Sequence, residues 1–199
     1  MIPVRPRPEP ADFDRNVRKP GRTWLKKKGI PLNRKLARGT RLEPFWRKCL
    51  DDLHRDYKDI CAYLCVYIQR CTGGGTVDHF AAKSRVARLA YEWSNYRLAC
   101  SAMNARKGVF DDVLDPFTLR RQTFRLELVT GRIYPNPCHS KADRQKAEDT
   151  IRRLGLDDYE MREMRSRHYR EFAEKHCDSA HLRRHSPFVW FEARRLKLL

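Results

Sequence analysis

The stretch VDHFAAKS (Val77–Ser84), followed six residues later by YEWSNYRLACSAMNARKG (Tyr91–Gly108), decides how this chain is read. Just before it, Ala62–Ile68 is short, aromatic and β-branched, and Gly73-Gly74-Gly75 supplies a turn. Thr76–Phe80 is therefore expected to return as the second strand of a hairpin. Downstream, Tyr91–Lys107 carries Trp93, Tyr96, Leu98, Ala99 and Met103 among good helix formers with no proline, and Gly108 stops it, which predicts a helix. Hairpin followed by helix is a ββα unit. On it, Asp78 and His79 lie in a strand, Asn95 follows His79 by sixteen residues, Asn104 comes nine later and Lys107 three beyond that.

Working outward, Pro44 can open a helix at its first turn. Phe45, Trp46, Cys49, Leu50, Leu53 and Tyr57 then recur at spacings of three and four to about residue 58. Beyond an acidic loop, Thr123–Val129 alternates in strand fashion, Gly131 permits a turn, and Arg132–Tyr134 can return beside it. Ala142–Leu154 and Asp157–His176 are amphipathic helices divided by Gly155, with Met161, Met164, His168 and Phe172 as a core stripe on the second. A last helix starts at Ser186-Pro187 and carries Phe188, Val189, Trp190 and Phe191, to pack on the domain or dock a partner. Pro3, Pro6, Pro8, Pro10 and Pro20 are expected to forbid regular helix through the first twenty residues, leaving an extended arm that wraps the domain or lies on a polyanion. The expected organisation is α+β: a basic, proline-rich arm over 1–42, the ββα core over 43–110, and a hairpin with a mainly helical extension over 111–199.

The 199 residues hold 43 Lys+Arg against 25 Asp+Glu, a net charge of +18, which calls for an acidic partner. Residues 1–50 contribute +11, residues 51–110 only +3 and residues 111–199 +4. With 41% hydrophobic and 11% aromatic residues the chain can bury a modest core, so a folded chain rather than global disorder is expected. Mean hydropathy is −0.78, no stretch approaches the roughly 18–20 apolar residues of a membrane span, and Met1–Pro10 lacks a signal-peptide core, so a cytoplasmic location is expected. Seven cysteines at irregular spacing, without a secretion signal, suggest reduced thiols or metal ligands rather than a disulfide framework. His139, His176, His181 and His185 fit no closed metal site. The chain contains no GxxxxGK[ST] loop, and Gly73–Gly75 lacks the lysine such a loop needs.

The order Asp78-His79, Asn95, Asn104 within one ββα unit resembles the HNH, or ββα-metal, nuclease motif. The resemblance implies that Asp78 and Asn104 bind one divalent ion, Mg2+ or Mn2+, that His79 is the general base, and that Asn95 braces the loop after the first strand. Those roles suit phosphodiester hydrolysis, which needs a cation against developing negative charge and a base titrating near neutrality. Lys107, Lys83 and Arg106 are then candidates for phosphate contacts. Many relatives hold a structural zinc on two Cys-x-x-Cys pairs. Here each pair keeps its first cysteine, Cys61 and Cys100, but has Leu64 and Met103 at the second position, so a structural zinc is not expected unless Cys65 or Cys71 substitutes by a shift of register. Nearly the whole chain, from PRPEPADFDRNVRKPG to MREMRSRHY, is similar to HNH subunits of the Septu and retron-associated kind. This implies DNA cleavage in anti-phage defence beside a large ATPase. A non-catalytic basic adaptor that binds nucleic acid is the competing expectation.

Overall fold

A computed structural model of the chain describes residues 1–37, 39–72, 74–81, 86–110 and 112–199. The chain divides into two compact units, one of Pro6–Asp59 and Gln69–Asp111, the other of Met1–Arg5, Ile60–Ile68 and Asp112–Leu199. Both mix helices with a small antiparallel sheet, so the fold is α+β. Among the described residues no helix is long and apolar enough to cross a membrane.

The first unit opens with a π-helical stretch, Asp14–Arg18, that runs directly into α1 (Lys19–Lys27). This corrects the expectation of an extended segment through residue 20. A proline inside an α-helix removes one hydrogen bond and crowds the carbonyl four residues earlier. Widening the turn before Pro20 to π geometry, with Pro20 in the first turn of α1, accommodates both. The helix forms because Phe13, Val17, Gly21 and Leu25 recur every fourth residue and are all buried. Phe13 packs edge-on against Trp93 and Tyr96, with ring centroids 5.6 and 5.7 Å away. Gly21 is required on that stripe because a Cβ there would lie 2.3 Å from Cγ of the buried Tyr91 ring. At an exposed site Gly→Ala would stabilise a helix by about 1 kcal/mol. Here overpacking reverses the sign, and Gly21→Ala is expected to cost about 1–3 kcal/mol, seen as a lowered urea midpoint.

A 3-10 turn, Phe45–Cys49, leads into α2 (Leu50–Asp56). Strand β1 (Gly75–His79) pairs antiparallel with β2 (Tyr96–Cys100) from Gly75 opposite Cys100 to His79 opposite Tyr96, and α3 (Ser101–Lys107) packs against both. Strand, strand and helix are thus present, but the second strand comes from the segment expected to be helical. Ala62–Ile68 belongs to the other unit, where Ile60 and Tyr67 make an isolated antiparallel bridge. Tyr96–Ala99 is buried on both faces, so it lacks the polar alternation that marks a half-exposed strand. Two short 3-10 turns, Ala87–Tyr91 and Trp93–Asn95, precede β2, and the helix expected over Tyr91–Lys107 begins only at Ser101.

In the second unit β3 (Phe124–Leu126) pairs with β4 (Ile133–Pro135), as the alternation and Gly131 suggest. Helix α4 (Lys141–Leu154) is capped by the Ser140 hydroxyl, which accepts from the Asp143 N–H, and ends at Gly155 with a left-handed φ of 58°. Then follow α5 (Tyr159–Ala173), α6 (Ser179–His185) and α7 (Pro187–Arg195). The Met161, Met164, His168, Phe172 stripe of α5 is only half-buried, and the fully buried side chain on that helix is Arg165. Arg165 Nε donates to the Gly131 carbonyl and Nη2 to the Leu156 carbonyl, both at 2.7 Å, tying the β3–β4 turn to the α4–α5 link. Burial pushes its guanidinium down to about 10, so it remains a cation at neutral pH. On α7, Phe188 and Val189 are buried within the unit.

Candidate functional site

Asn95 closes the loop that leaves β1. It ends the 3-10 turn before β2 and is 6% exposed. Its Oδ1 accepts from the Ala81 N–H at 2.8 Å, while Nδ2 donates to the carbonyls of Ala81 at 3.0 Å and Leu89 at 2.9 Å. The Asn95 carbonyl accepts from the Phe80 N–H at 2.9 Å. One amide side chain therefore fixes backbone two residues after His79 and one residue before Ala90. Lys83, expected to contact phosphate from this loop, lies outside the described residues.

Ala90 is where His79 is aimed. His79 Nε2 lies 3.0 Å from the Ala90 carbonyl, and since a carbonyl only accepts, Nε2 carries the proton and the lone pair of the neutral ring is on Nδ1. The same carbonyl accepts from the Tyr96 hydroxyl at 2.7 Å, and burial pushes that phenol's pKa up, which keeps it a donor. Trp46 and Tyr96 stand edge-on to the imidazole, with centroids 4.8 and 5.1 Å away. Trp46, Tyr96 and the Ala90 carbonyl are site elements that sequence reasoning missed. The two rings appeared there only as apolar positions of expected helices, and a backbone acceptor has no side-chain signature.

Asp78 lies on the opposite face of β1 from His79, beside Thr76 and across from Arg97 on β2. It is 1% exposed, and the Lys107 ammonium, itself 0% exposed, sits 3.4 Å from its Oδ1. Lys107 Nζ also donates to the His79 carbonyl at 3.1 Å and lies 5.5 Å from the Phe80 ring centroid. The lysine thus engages three consecutive residues at the end of β1. Its expected place on a phosphate is corrected, because an enclosed ammonium has no route to one in this conformation. Arg97, also buried, donates to the Ser94 and Tyr96 carbonyls at 2.8 and 3.0 Å. Arg106 is half-buried on α3.

Asn104, one turn before Lys107, donates from Nδ2 to Thr76 Oγ1 at 3.1 Å, and that hydroxyl donates to the Ala99 carbonyl at 2.9 Å. With its N–H side on Thr76, the amide turns Oδ1 away from that contact. Asn104, through Thr76, and Lys107, through Asp78, therefore each contact a residue on the same face of β1. A carboxylate with an amide oxygen suits magnesium or manganese, which take one or two protein oxygens and complete their shell with water and substrate phosphate. Among the described residues no group of three or more His, Cys, Asp or Glu side chains is arranged to hold a metal. The donor chemistry fits a hard dication, with Lys107 as the competing charge.

A second histidine supports the start of β1. His54 on α2 is buried, its Nδ1 donates to Asp59 Oδ1 at 2.7 Å, and a Cβ on Gly75 would lie 2.2 Å from its Nε2, so this pair braces the strand. Of the two cysteines left from the Cys-x-x-Cys pattern, Cys61 and its Leu64 lie in one unit, Cys100 and its Met103 in the other. No family model matches the chain, and no curated protein matches it.

Proposed function

We propose that the chain is a metal-dependent endonuclease of the HNH type that hydrolyses phosphodiester bonds in DNA. The observation that carries this reading is the orientation of His79. Its Nε2–H is held by a backbone carbonyl, so the basic Nδ1 is fixed in one tautomer, as a general base that removes a proton from water requires. Asn95 holds both the chain after His79 and the residue preceding its acceptor, so the ring keeps its aim while DNA is bound. A divalent ion on Asp78 and Asn104 would neutralise charge developing on the phosphate. The net charge of +18 supports a polyanionic substrate. In the anti-phage role implied by the resemblance, nucleotide control comes from a partner ATPase.

Supercoiled plasmid is expected to be nicked or cut in Mg2+ or Mn2+, and His79→Ala to lower the rate by about 10^2–10^4-fold, the usual contribution of a general base, while DNA binding is kept. Equal cleavage by the variant would sink the assignment.

One observation favours the non-catalytic adaptor: Lys107 already supplies a positive charge beside Asp78. Titration with Mn2+ separates the two readings. One saturable site that disappears in Asp78→Asn supports the nuclease, and DNA binding with no manganese site supports the adaptor.

A further inference from the structure

Charge compensation stops abruptly along α1. Toward its start, Arg15 pairs with Asp12 at 2.9 Å, Lys19 with Asp14 at 2.9 Å and Arg22 with Glu92 at 2.8 Å. Residues 26–42 then hold seven Lys/Arg and no Asp or Glu. Six of them, Lys26, Lys27, Lys28, Arg34, Lys35 and Arg41, are exposed, and none of the described ion pairs includes any of the six. The seventh, Arg38, lies outside the described residues.

This segment is anchored to the unit that holds the candidate site. The Ile30 N–H donates to the Leu25 carbonyl at 2.9 Å, and the Arg88 and Ala87 N–H groups donate to the carbonyls of Leu32 and Arg34, both at 3.0 Å. The turn it grips, Ala87–Tyr91, carries the Ala90 carbonyl that orients His79, and Tyr91, which lies against Gly21 of α1. One short piece of backbone therefore connects the cations to the imidazole.

The chemistry of the surface selects among polyanions. A membrane-surface helix needs an apolar face to insert beneath its cations. The apolar stripe of α1, Phe13, Val17 and Leu25, is buried within the unit, and among the described residues of 26–42 Leu32 is the one exposed large apolar side chain, so the cations lack an apolar face to insert. Trp24 is half-buried, with the Lys28 ammonium 6.0 Å from its ring, and the arginines suit phosphate oxygens. We propose that residues 26–42 are the phosphate-binding surface of this unit, holding the backbone of duplex DNA through these six side chains and presenting it to the site across the 87–91 turn. Presentation to the site rests on the endonuclease reading, whereas binding does not.

The test is anisotropy of a labelled 30-base-pair duplex in EDTA between 50 and 300 mM salt. It compares the wild-type chain with Lys26→Ala/Lys27→Ala/Lys28→Ala and with Arg34→Ala/Lys35→Ala/Arg41→Ala. The control, Arg167→Ala/Arg170→Ala/Lys175→Ala, removes three exposed charges from the other unit. Either 26–42 triple should weaken binding at least tenfold at 150 mM and flatten the log–log salt slope by about 2–3, near 0.9 per lost phosphate contact. The control should change the slope by less than one. The proposal is overturned if the control weakens binding as much as the other triples, or if phosphatidylserine vesicles or polyglutamate compete as well as DNA. With EDTA excluding metal-dependent cleavage, a chain that binds DNA this way yet never cuts it in Mn2+ retains the surface and refutes the nuclease.

Discussion

Lys107→Met is expected to cost its unit about 3–5 kcal/mol, because it removes the ammonium from a buried ion pair with the Asp78 carboxylate. Asp78 has almost no access to water, so it cannot recover by solvation what it loses in the ammonium. The double variant Lys107→Met/Asp78→Asn should regain much of the loss, since replacing both charges costs less than breaking the pair. Thermal melts of the four proteins in that cycle measure the coupling directly. The cycle also reads metal chemistry without activity. If Asp78 binds a dication, removing the +1 charge 3.4 Å away should raise Mn2+ affinity at least tenfold, and millimolar Mn2+ should lift the melting temperature of Lys107→Met more than that of the wild type. A Lys107→Met protein whose melt ignores Mn2+ would mean that lysine is the permanent counter-ion of Asp78, as the adaptor reading requires.

Local signals in the sequence locate some elements well and fail where partners are distant. The β3–β4 hairpin is legible because one face is buried, so residues alternate, and Gly131 marks the turn. Helix α4 is legible through its period, with Gly155 at its end. β2 is not: with both faces of Tyr96–Ala99 buried it has no alternation, and leucine, alanine and arginine read as helix formers. What makes it a strand is pairing with β1, about twenty residues away in sequence, which no local pattern encodes. The start of the helix leading into α1 is hidden by Pro20, because a π-helical turn that absorbs a proline looks like a broken helix. At the site, Asp78, His79, Asn95 and Asn104 stand out by residue type and order. The inward turn of Lys107 does not, although its spacing of three from Asn104 already places both on one helix face.

Asn95→Asp should be as damaging to chemistry as Lys107→Met is to folding, and its pH dependence identifies the cause. The substitution keeps the oxygen that accepts from the Ala81 N–H, but sets a carboxylate oxygen against the carbonyls of Ala81 and Leu89 where an NH2 donated before. Each buried carbonyl left without its donor costs about 1–3 kcal/mol, and the repulsion adds to it. Because the charged form is the one opposed, the variant's carboxyl has a folded-state pKa above its unfolded value of about 3.9. The destabilisation is therefore complete at neutral pH and shrinks as pH falls through the raised folded pKa, where the protonated carboxyl donates to one of the two carbonyls. Melts between pH 4 and pH 8 should show the gap from wild type narrowing on acidification, whereas Asn95→Ala, with nothing to protonate, keeps a constant gap. On the proposed endonuclease reading, the aspartate variant should cleave about 10^2-fold more slowly at saturating DNA below its melting temperature, the penalty typical of a reacting group displaced by about 1 Å, with little change in KM. That split is expected because Asn95 holds Ala81 and Leu89, which flank His79 and its acceptor Ala90, and bears on DNA affinity only through them.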